Sequence, residues 1–486
     1  MSDFLSDVLP LLTDSYKVGH WKMEPANTTY AFSYIESRGD TVGIEQSVVW
    51  DIVYTVKKYL SKPVTMRDVE RAKRFADRHL KPGAFNYEGW KRIVTEFNGY
   101  LPITITGAKE GSVIPLKNSL IGVSNTHPDF AWVVSYVEPL LLNIWYPITV
   151  ASLSYQCRQN IGQFWQETVD DDRMGGLDFA LHDFGFRGAS SVETAGRGGS
   201  GHLLSFNGTD TMQAITHLYD YYGLDEEDDA SMPAFSVLAS EHSVTCANSD
   251  CENKEDIDAL EMMVSLLERE GGIVSAVADT FNVYRFTERV ATVFKDRIIK
   301  SGGRFVVRPD SGDARVILPK ILEILGEGFG YTINSKGYKV LPDCIRVLQG
   351  DGVNMQSINK ILQILKDANW SSENIVFGMG GALLQACDRD WLKVAMKQSF
   401  VVVDRVEKNI YKSPITDPGK ESKRGIQTLY MNCVTGEYKT FAHYEEVGPL
   451  WENVEILYYA MNDYNPEPYI RDGNFKEAVK RVRATL

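Results

Sequence analysis

The sequence predicts an α/β protein: a central run of βα units building a mostly parallel sheet, flanked by α+β segments. Three observations predict it. From about residue 178, short apolar runs alternate with helical periodicity. Each run ends in Asp, Glu, His, Arg or Gly, the place where parallel α/β folds, barrels especially, gather their polar groups. The segments before residue 178 and after residue 389 lack that repeat.

Residues 1–177 are expected as an N-terminal α+β part. LLTDSYK suits a capped helix start, with Thr13 or Asp14 accepting the free N–H groups. Residues 34–38 read as a strand entering a loop. Residues 64–80 place Val69, Ala72, Phe75 and Ala76 on one helix face. Residues 101–107 and 111–115 alternate like strands of a small sheet. Residues 130–145 and 148–165 are expected as two buried helices. Glu138, Pro139, Asn143 and Pro147 interrupt the apolar stretch, which argues against a membrane span.

Residues 178–389 are expected as the catalytic α/β part. Its predicted strands are 179–181, 203–206, 235–238, 273–278, 305–307, 345–348 and 375–377. Between them Ile257, Leu260, Val264 and Leu267 share one helix face, and Ile358, Ile361, Leu362 and Leu365 share another. The last strand runs into Gly378, Gly380 and Gly381 and then a helix former, with Arg389 expected about two turns on. Glycines admit close approach of an anion to helix-start N–H groups, and an arginine adds a bidentate charge. The same glycines also fit a plain tight connector. Residues 390–486 return to α+β, with a helix through 391–397 and a strand at 400–404. The loop 412–424 is basic (Lys412, Lys420, Lys423, Arg424); it is either a solvated face or a polyanion clamp.

Composition narrows the function. The 486 residues are 44% apolar and 24% charged, as in soluble globular proteins, with a net charge of -14. That balance disfavours a nucleic-acid or membrane-surface binder. Six scattered cysteines without CxxC suit free thiols in a reducing compartment, and the N-terminus has no basic leader, so a cytoplasmic location is expected. No P-loop, nucleophile elbow or HExxH is present. Phosphate-type groups (Gly350, Gly380, Gly381, Arg389) occur with strand-end carboxylates (Asp279, Asp310, Asp351), which suits phosphosugar chemistry.

LLTDSYKVGH, LHDFGFRGASS, FNGTDT, SVLASEHS, VVRPDSGD, VLQGDGV and FGMGGALLQ, in that order across nearly the whole chain, closely resemble the nicotinamide phosphoribosyltransferases of the type II phosphoribosyltransferase family. The resemblance implies an irregular parallel α/β barrel with an added α+β domain built from both termini, working as a homodimer with shared active sites. It implies nicotinamide and 5-phosphoribosyl 1-pyrophosphate as substrates, Mg²⁺, and ATP hydrolysis coupled through a phosphohistidine at His242. Phe184 would stack on the pyridine ring, with Tyr16 of the partner subunit opposite. Asp210 would accept from the carboxamide; its alternative is a helix cap. Arg187 and Arg308 would line the channel, or form surface ion pairs. Ser236 and Ser275 match pocket serines. Asp310 and Asp351 would hold ribose hydroxyls and Asp279 would help place Mg²⁺; ordinary turn chemistry is the alternative for all three. Gly350, Gly380, Gly381 and Arg389 would take the 5′-phosphate. Arg38, Lys397, Lys412 and Lys420 would take pyrophosphate or ATP phosphates. Met379 and Ala382 stand where the family often has Ser and Gly. Residues 39–55 and 224–232 match poorly and carry no assigned role. The other readings are a nicotinate phosphoribosyltransferase, and a non-catalytic phosphosugar-binding or signalling protein on the same fold.

Overall fold

A computed structural model describes residues 4–416 and 421–486. The chain divides into two compact units. The first gathers Met1–Ser152, Leu218–Leu224 and Asp388–Thr485; the second gathers Leu153–His217, Asp225–Cys387 and Leu486.

The first unit is built on an antiparallel sheet. Its strand order is Val406–Asn409, Val394–Val403, Thr28–Ser37, Ser119–Asn125, Ile103–Ala108, Glu455–Ala460 and Tyr469–Ile470. The strand expected at 34–38 is the end of Thr28–Ser37, and Ser119–Asn125 is a further strand beside Ile103–Ala108. The amphipathic helix is Met66–His79. Thr65 and Asp68 close a capping box at its start, and Val69, Ala72 and Ala76 are buried while Phe75 stays at the surface. A buried Trp50 stacks on Tyr222 at 4.3 Å in this unit's core.

Three local expectations are corrected. Residues 15–22 form a 3₁₀ helix without a side-chain cap, because the Thr13 hydroxyl donates instead to the Tyr136 carbonyl at 2.8 Å. The first expected buried helix is broken into Pro128–Phe130, Trp132–Tyr136 and Glu138–Leu142, with Pro139 at the start of the last, and a continuous helix then runs Trp145–Thr168. The helix expected at 391–397 is only Arg389–Leu392; Lys393 adopts φ 50° and the chain enters strand Val394–Val403. Among the described residues no single helix is long and apolar enough to cross a membrane. The bent pair Pro128–Tyr136 and Glu138–Thr168 reaches that mark jointly, and its apolar residues, such as Val133, Val134, Ile148 and Val150, are buried in the fold.

The second unit holds seven parallel strands: β1 Leu181–Asp183, β2 Gly208–Thr209, β3 Leu238–Ala239, β4 Ile273–Val277, β5 Arg304–Arg308, β6 Ile345–Gln349 and β7 Ile375–Met379. Their order is β2–β1–β7–β6–β5–β4–β3. A parallel bridge from Gly208 to Phe235, with Thr209 N–H on the Phe235 carbonyl at 3.1 Å, joins the two ends. The result is an irregular α/β barrel. Helices Ile257–Glu270 and Met355–Asp367 bury the faces read from the sequence, except that Ile257, at the first position of its helix, is exposed.

Three strands begin later than the apolar pattern predicts: β1 at Leu181 rather than 179, β3 at Leu238 rather than 235, and β2 at Gly208 rather than 203. Residues 203–206 are fully buried but follow the C-terminus of helix Val192–His202, with Phe206 stacked on His202 at 5.2 Å; the strand itself is the two-residue β2. A short apolar run does not by its period distinguish strand from buried helix end. The helix after β7 is likewise only Gly381–Leu384, and Arg389 opens a separate short helix whose Asp388 carboxylate accepts from the Asp390 N–H.

Candidate active site

The parallel strands end side by side, so the residues that follow them converge at one mouth of the barrel. A cleft of about 730 Å³ opens there, lined by Phe184 and Arg187 after β1, Asp210 after β2, His242 after β3, and Arg308 and Asp310 at and after β5. Six residues from four separate sequence segments thus share one cavity.

Phe184 is half-buried. Its N–H donates to the Met379 carbonyl at 3.0 Å, and its ring lies over Gly378: a Cβ there would come within 2.1 Å of the ring. Gly350 sits on another side, where a Cβ would be 3.1 Å from Asp310 Oδ1 and 3.7 Å from the Phe184 ring. So Gly378 and Gly350 leave room for the ring and the Asp310 carboxylate. Gly380 has the Phe184 carbonyl 3.5 Å from where its Cβ would be, and Gly381 lies beside Gly188.

Asp210 is exposed to the cleft. Its Oδ1 accepts the Ser236 hydroxyl at 2.5 Å. His242 begins the short helix His242–Ala247; its Nε2 lies 3.1 Å from Asp279 Oδ1 and its Nδ1 4.0 Å from Asp310 Oδ2. The imidazole is half-exposed, and the Asp279 side chain is only 8% exposed, so the ring is anchored from the buried side and open toward the cleft. Arg308 donates to the Ser240 carbonyl at 3.1 Å, which ties the end of β5 to the segment before His242. Asp351 is exposed after β6, and its carbonyl accepts from Gln349 at 2.7 Å.

Ser275 belongs to a second cavity of about 540 Å³ inside the barrel. Phe179, His182, Phe235, Ser236, Val306 and Leu348 also line it. Barrel interiors are normally filled by side chains; here serines and a valine at lumen positions leave it open. Ser236 lines this cavity while bonding Asp210 in the cleft, so the pair marks where the two spaces meet. Burial holds the His182 pKa below its usual value, with Asp210 opposing, so the ring facing the lumen is neutral. His182 and Asp183 carry no role in the sequence, and Gly378 is read there as part of an anion-binding turn rather than as the seat of a ring. His182 and Asp183 were visible only as neighbours of Phe184, and Gly378 was visible as one glycine among three.

The remaining described candidates lie in the first unit. Lys397 is on strand Val394–Val403, in register with Tyr34 on the neighbouring strand. Its pKa is lowered by burial; Glu138 opposes this, and Arg38, Arg389 and Lys412 lower it further. Arg38, distant in sequence, thus joins Arg389 and Lys412 in acting on Lys397. Lys412 is held by a pair of bonds with Ser422, at 2.8 and 3.0 Å. Arg38 lies 3.7 Å from Glu36, and Lys423 pairs with the same carboxylate. Such a cluster is unfavourable unless an anion answers it. Lys420 lies outside the described residues. Tyr16 is 61% exposed, with His20 edge-on at 5.1 Å and the Lys17 ammonium 5.5 Å over its ring.

Among the described residues no group of three or more His, Cys, Asp and Glu is arranged as a metal cage. Asp279 and Asp310 flank His242 as a two-carboxylate set. Mg²⁺ typically takes one or two carboxylates, several waters and substrate phosphates. The donor set therefore fits a magnesium ion carried with a polyphosphate, and does not fit a resident ion. The six cysteines are free thiols.

Residues 179–481 match the model of the nicotinate phosphoribosyltransferase (NAPRTase) family, and residues 8–105 match that of the nicotinamide phosphoribosyltransferase N-terminal domain. The chain is 41% identical over 463 residues to nicotinamide phosphoribosyltransferase of Xanthomonas campestris pv. campestris, covering 93% of this chain and 96% of that one. It is 28% identical to the Acinetobacter baylyi enzyme of the same name, over 85% and 86% of the two chains. In fold it is similar to nicotinate-nucleotide pyrophosphorylase from Pyrococcus furiosus (TM-score 0.62, 12% identity, 100% and 97% coverage). It is also similar to human nicotinic acid phosphoribosyltransferase (TM-score 0.55, 14% identity, 98% and 93% coverage).

Proposed function

The chain belongs to the nicotinate phosphoribosyltransferase family, and from that premise we propose that it joins nicotinamide to 5-phosphoribosyl 1-pyrophosphate, giving nicotinamide mononucleotide and pyrophosphate in NAD salvage. It is a pentosyltransferase by its family and its relatives. The observation that carries the choice of base is the Phe184–Asp210 pair lining one cleft. A half-buried ring stacks an aromatic base, and an adjacent carboxylate accepts the N–H of a carboxamide. The same carboxylate repels nicotinate, whose carboxylate only accepts.

The reaction needs little proton chemistry. The pyridine nitrogen has a free lone pair, so no general base is required. The hard step is departure of pyrophosphate from C1 of the ribose. Asp310 and Asp351 accept from ribose hydroxyls, and Asp310 lies close enough to the ring floor to favour the developing positive charge. Arg187 and Arg308 supply positive charge along the cleft, Gly380 and Gly381 leave backbone open to the 5′-phosphate, and Arg38, Arg389, Lys397 and Lys412 answer phosphate charge. Magnesium, when bound, neutralises pyrophosphate oxygens; Asp279 and Asp310 are the residues that fit it. His242, open to the cleft and steadied by Asp279, is the group we assign to phosphoryl transfer from ATP. The working form we assign is a homodimer in which Tyr16 of the partner subunit covers the face of the base opposite Phe184.

The test is to incubate the protein with Mg²⁺, phosphoribosyl pyrophosphate and either base, and to measure kcat/KM for each mononucleotide. Nicotinamide is expected to win by about a hundredfold, two factors of ten at ~1.4 kcal/mol each. In Asp210→Ser the nicotinamide value falls and the nicotinate value rises. An unchanged ratio removes Asp210 from recognition and favours nicotinate as an equal substrate.

A further inference from the structure

We propose that the buried Asp183 is the positioning residue of the base pocket, holding the Phe184 turn and the Asp210 strand end in one frame. The proposal rests on the nicotinamide reading above and names what fixes its geometry.

The sheet register puts the parts side by side. Asp183 pairs with Met379 of β7 on one side and with Thr209 of β2 on the other. It is fully buried, with no exposed surface. Its Oδ1 accepts the Gly185 N–H at 2.7 Å, closing the turn that presents Phe184. Its main-chain carbonyl accepts the Asp210 N–H at 2.9 Å. Its Oδ2 faces the Thr209 hydroxyl at 3.5 Å, and that hydroxyl accepts the Thr211 N–H at 3.0 Å. One residue thus touches the turn that carries the ring, the Thr209 hydroxyl and the Asp210 N–H, and reaches Thr211 through Thr209.

Glycines make the space for it. A Cβ on Gly185 would be 3.0 Å from Oδ1, and a Cβ on Gly199, in helix Val192–His202, would be 3.0 Å from Oδ2. The carboxylate is enclosed on both sides by backbone and has one place to sit. Burying it costs free energy, and burial pushes its pKa up to about 6, with the Gly185 N–H opposing and Asp210 adding to the rise. A carboxylate buried beside Asp210 is costly to stability, and the donors that point at it offset only part of that cost. Its return is a fixed ring-to-carboxylate spacing, and misplacing a contact by about 1 Å costs on the order of a hundredfold in rate.

The experiment uses the full chain and three variants: Asp183→Ala, Asp183→Asn and Thr209→Val. Steady-state KM is measured separately for nicotinamide and for phosphoribosyl pyrophosphate, with the nicotinamide-to-nicotinate ratio and the melting temperature. Asp183→Ala is expected to raise the nicotinamide KM about tenfold or more and to shrink the base ratio, with the phosphoribosyl pyrophosphate KM nearly unmoved. Asp183→Asn keeps the shape and the Oδ1 acceptor and recovers most of the nicotinamide KM; Thr209→Val falls between. Equal losses for both substrates in step with a lowered melting temperature make Asp183 a plain core residue and overturn the proposal, as do unmoved constants. If Asp183→Ala does not fold, Asp183→Asn and Thr209→Val decide in the same way: both at wild-type base ratio and KM overturn it. A wild type that makes neither mononucleotide removes the parent reading, which is a different failure from a working wild type with indifferent variants.

Discussion

At the scale of single residues, the most consequential side chain is an absent one. Gly378 opens the glycine run in which the sequence suggests phosphate binding, but it lies within β7 and its missing Cβ makes room for the Phe184 ring. In Gly378→Ala the new methyl would sit 2.1 to 2.2 Å from ring carbons, so the ring has to leave its position. Overpacking of this kind costs about 1–3 kcal/mol, and the nicotinamide KM should rise about tenfold as the stacking surface moves. Adding Phe184→Ala to Gly378→Ala should restore the melting temperature without restoring activity, because the clash goes and the platform goes with it. Additive melting losses in the double variant would mean that the two residues do not touch. Charged strand-end residues such as Asp310 and His242 were legible from type and position. The glycine's partner was not, because which ring a glycine admits depends on a contact far away in sequence.

At the scale of elements, the short helix His242–Ala247 carries the phosphoryl-transfer proposal. It places an open imidazole between Asp279, which bonds one ring nitrogen at 3.1 Å, and Asp310, whose carboxylate lies 4.0 Å from the other. His242→Ala should keep basal transfer, since the pyridine nitrogen needs no base, and lose stimulation by ATP. Labelled ATP should mark the wild type at an acid-labile site; label persisting in His242→Ala would place that role on another residue. The strands themselves were legible wherever they are five residues long, as in β4–β7, because β-branched runs bounded by polar turns leave little choice. The two-residue strands β2 and β3 were misplaced or overextended, because two residues carry no periodicity. The apolar run before β2 owes its composition to burial at a helix end. The first unit's sheet order was not legible either, since Thr28–Ser37 pairs with Val394–Val403 across most of the chain, and no local pattern records such a pairing.

At the scale of the whole molecule, two features of the first unit lead to predictions. Glu110 is fully buried, with Asp51 beside it and the Tyr222 hydroxyl at 3.1 Å; burial pushes its pKa up to about 7 from the usual 4.5. A raised acid pKa favours the protonated fold, so this contribution is complete below pH 4.5 and is lost as pH rises through 7. A rise of that size corresponds to about 3 kcal/mol. Glu110→Gln keeps an acceptor for the Val53 N–H, so the melting temperature should fall less between pH 5 and pH 8 than in wild type. An identical slope would mean that Glu110 is charged throughout. The second feature is Tyr16, an aromatic residue left 61% exposed in the first unit, while Phe184 in the second unit is the half-buried floor of a cleft. If the base lies between Phe184 of one chain and Tyr16 of the partner subunit, the two rings of one pocket come from different chains. Mixing a Tyr16→Ala chain with a Phe184→Ala chain then gives a heterodimer with one pocket holding both rings and one holding neither. Each parent homodimer is defective in both pockets, and the heterodimer should recover about half of wild-type activity. If each pocket instead takes both rings from its own chain, every pocket in the mixture lacks one ring and nothing is recovered. Purifying the heterodimer through two different affinity tags separates the cases, and no recovery in the purified species would rule out shared pockets.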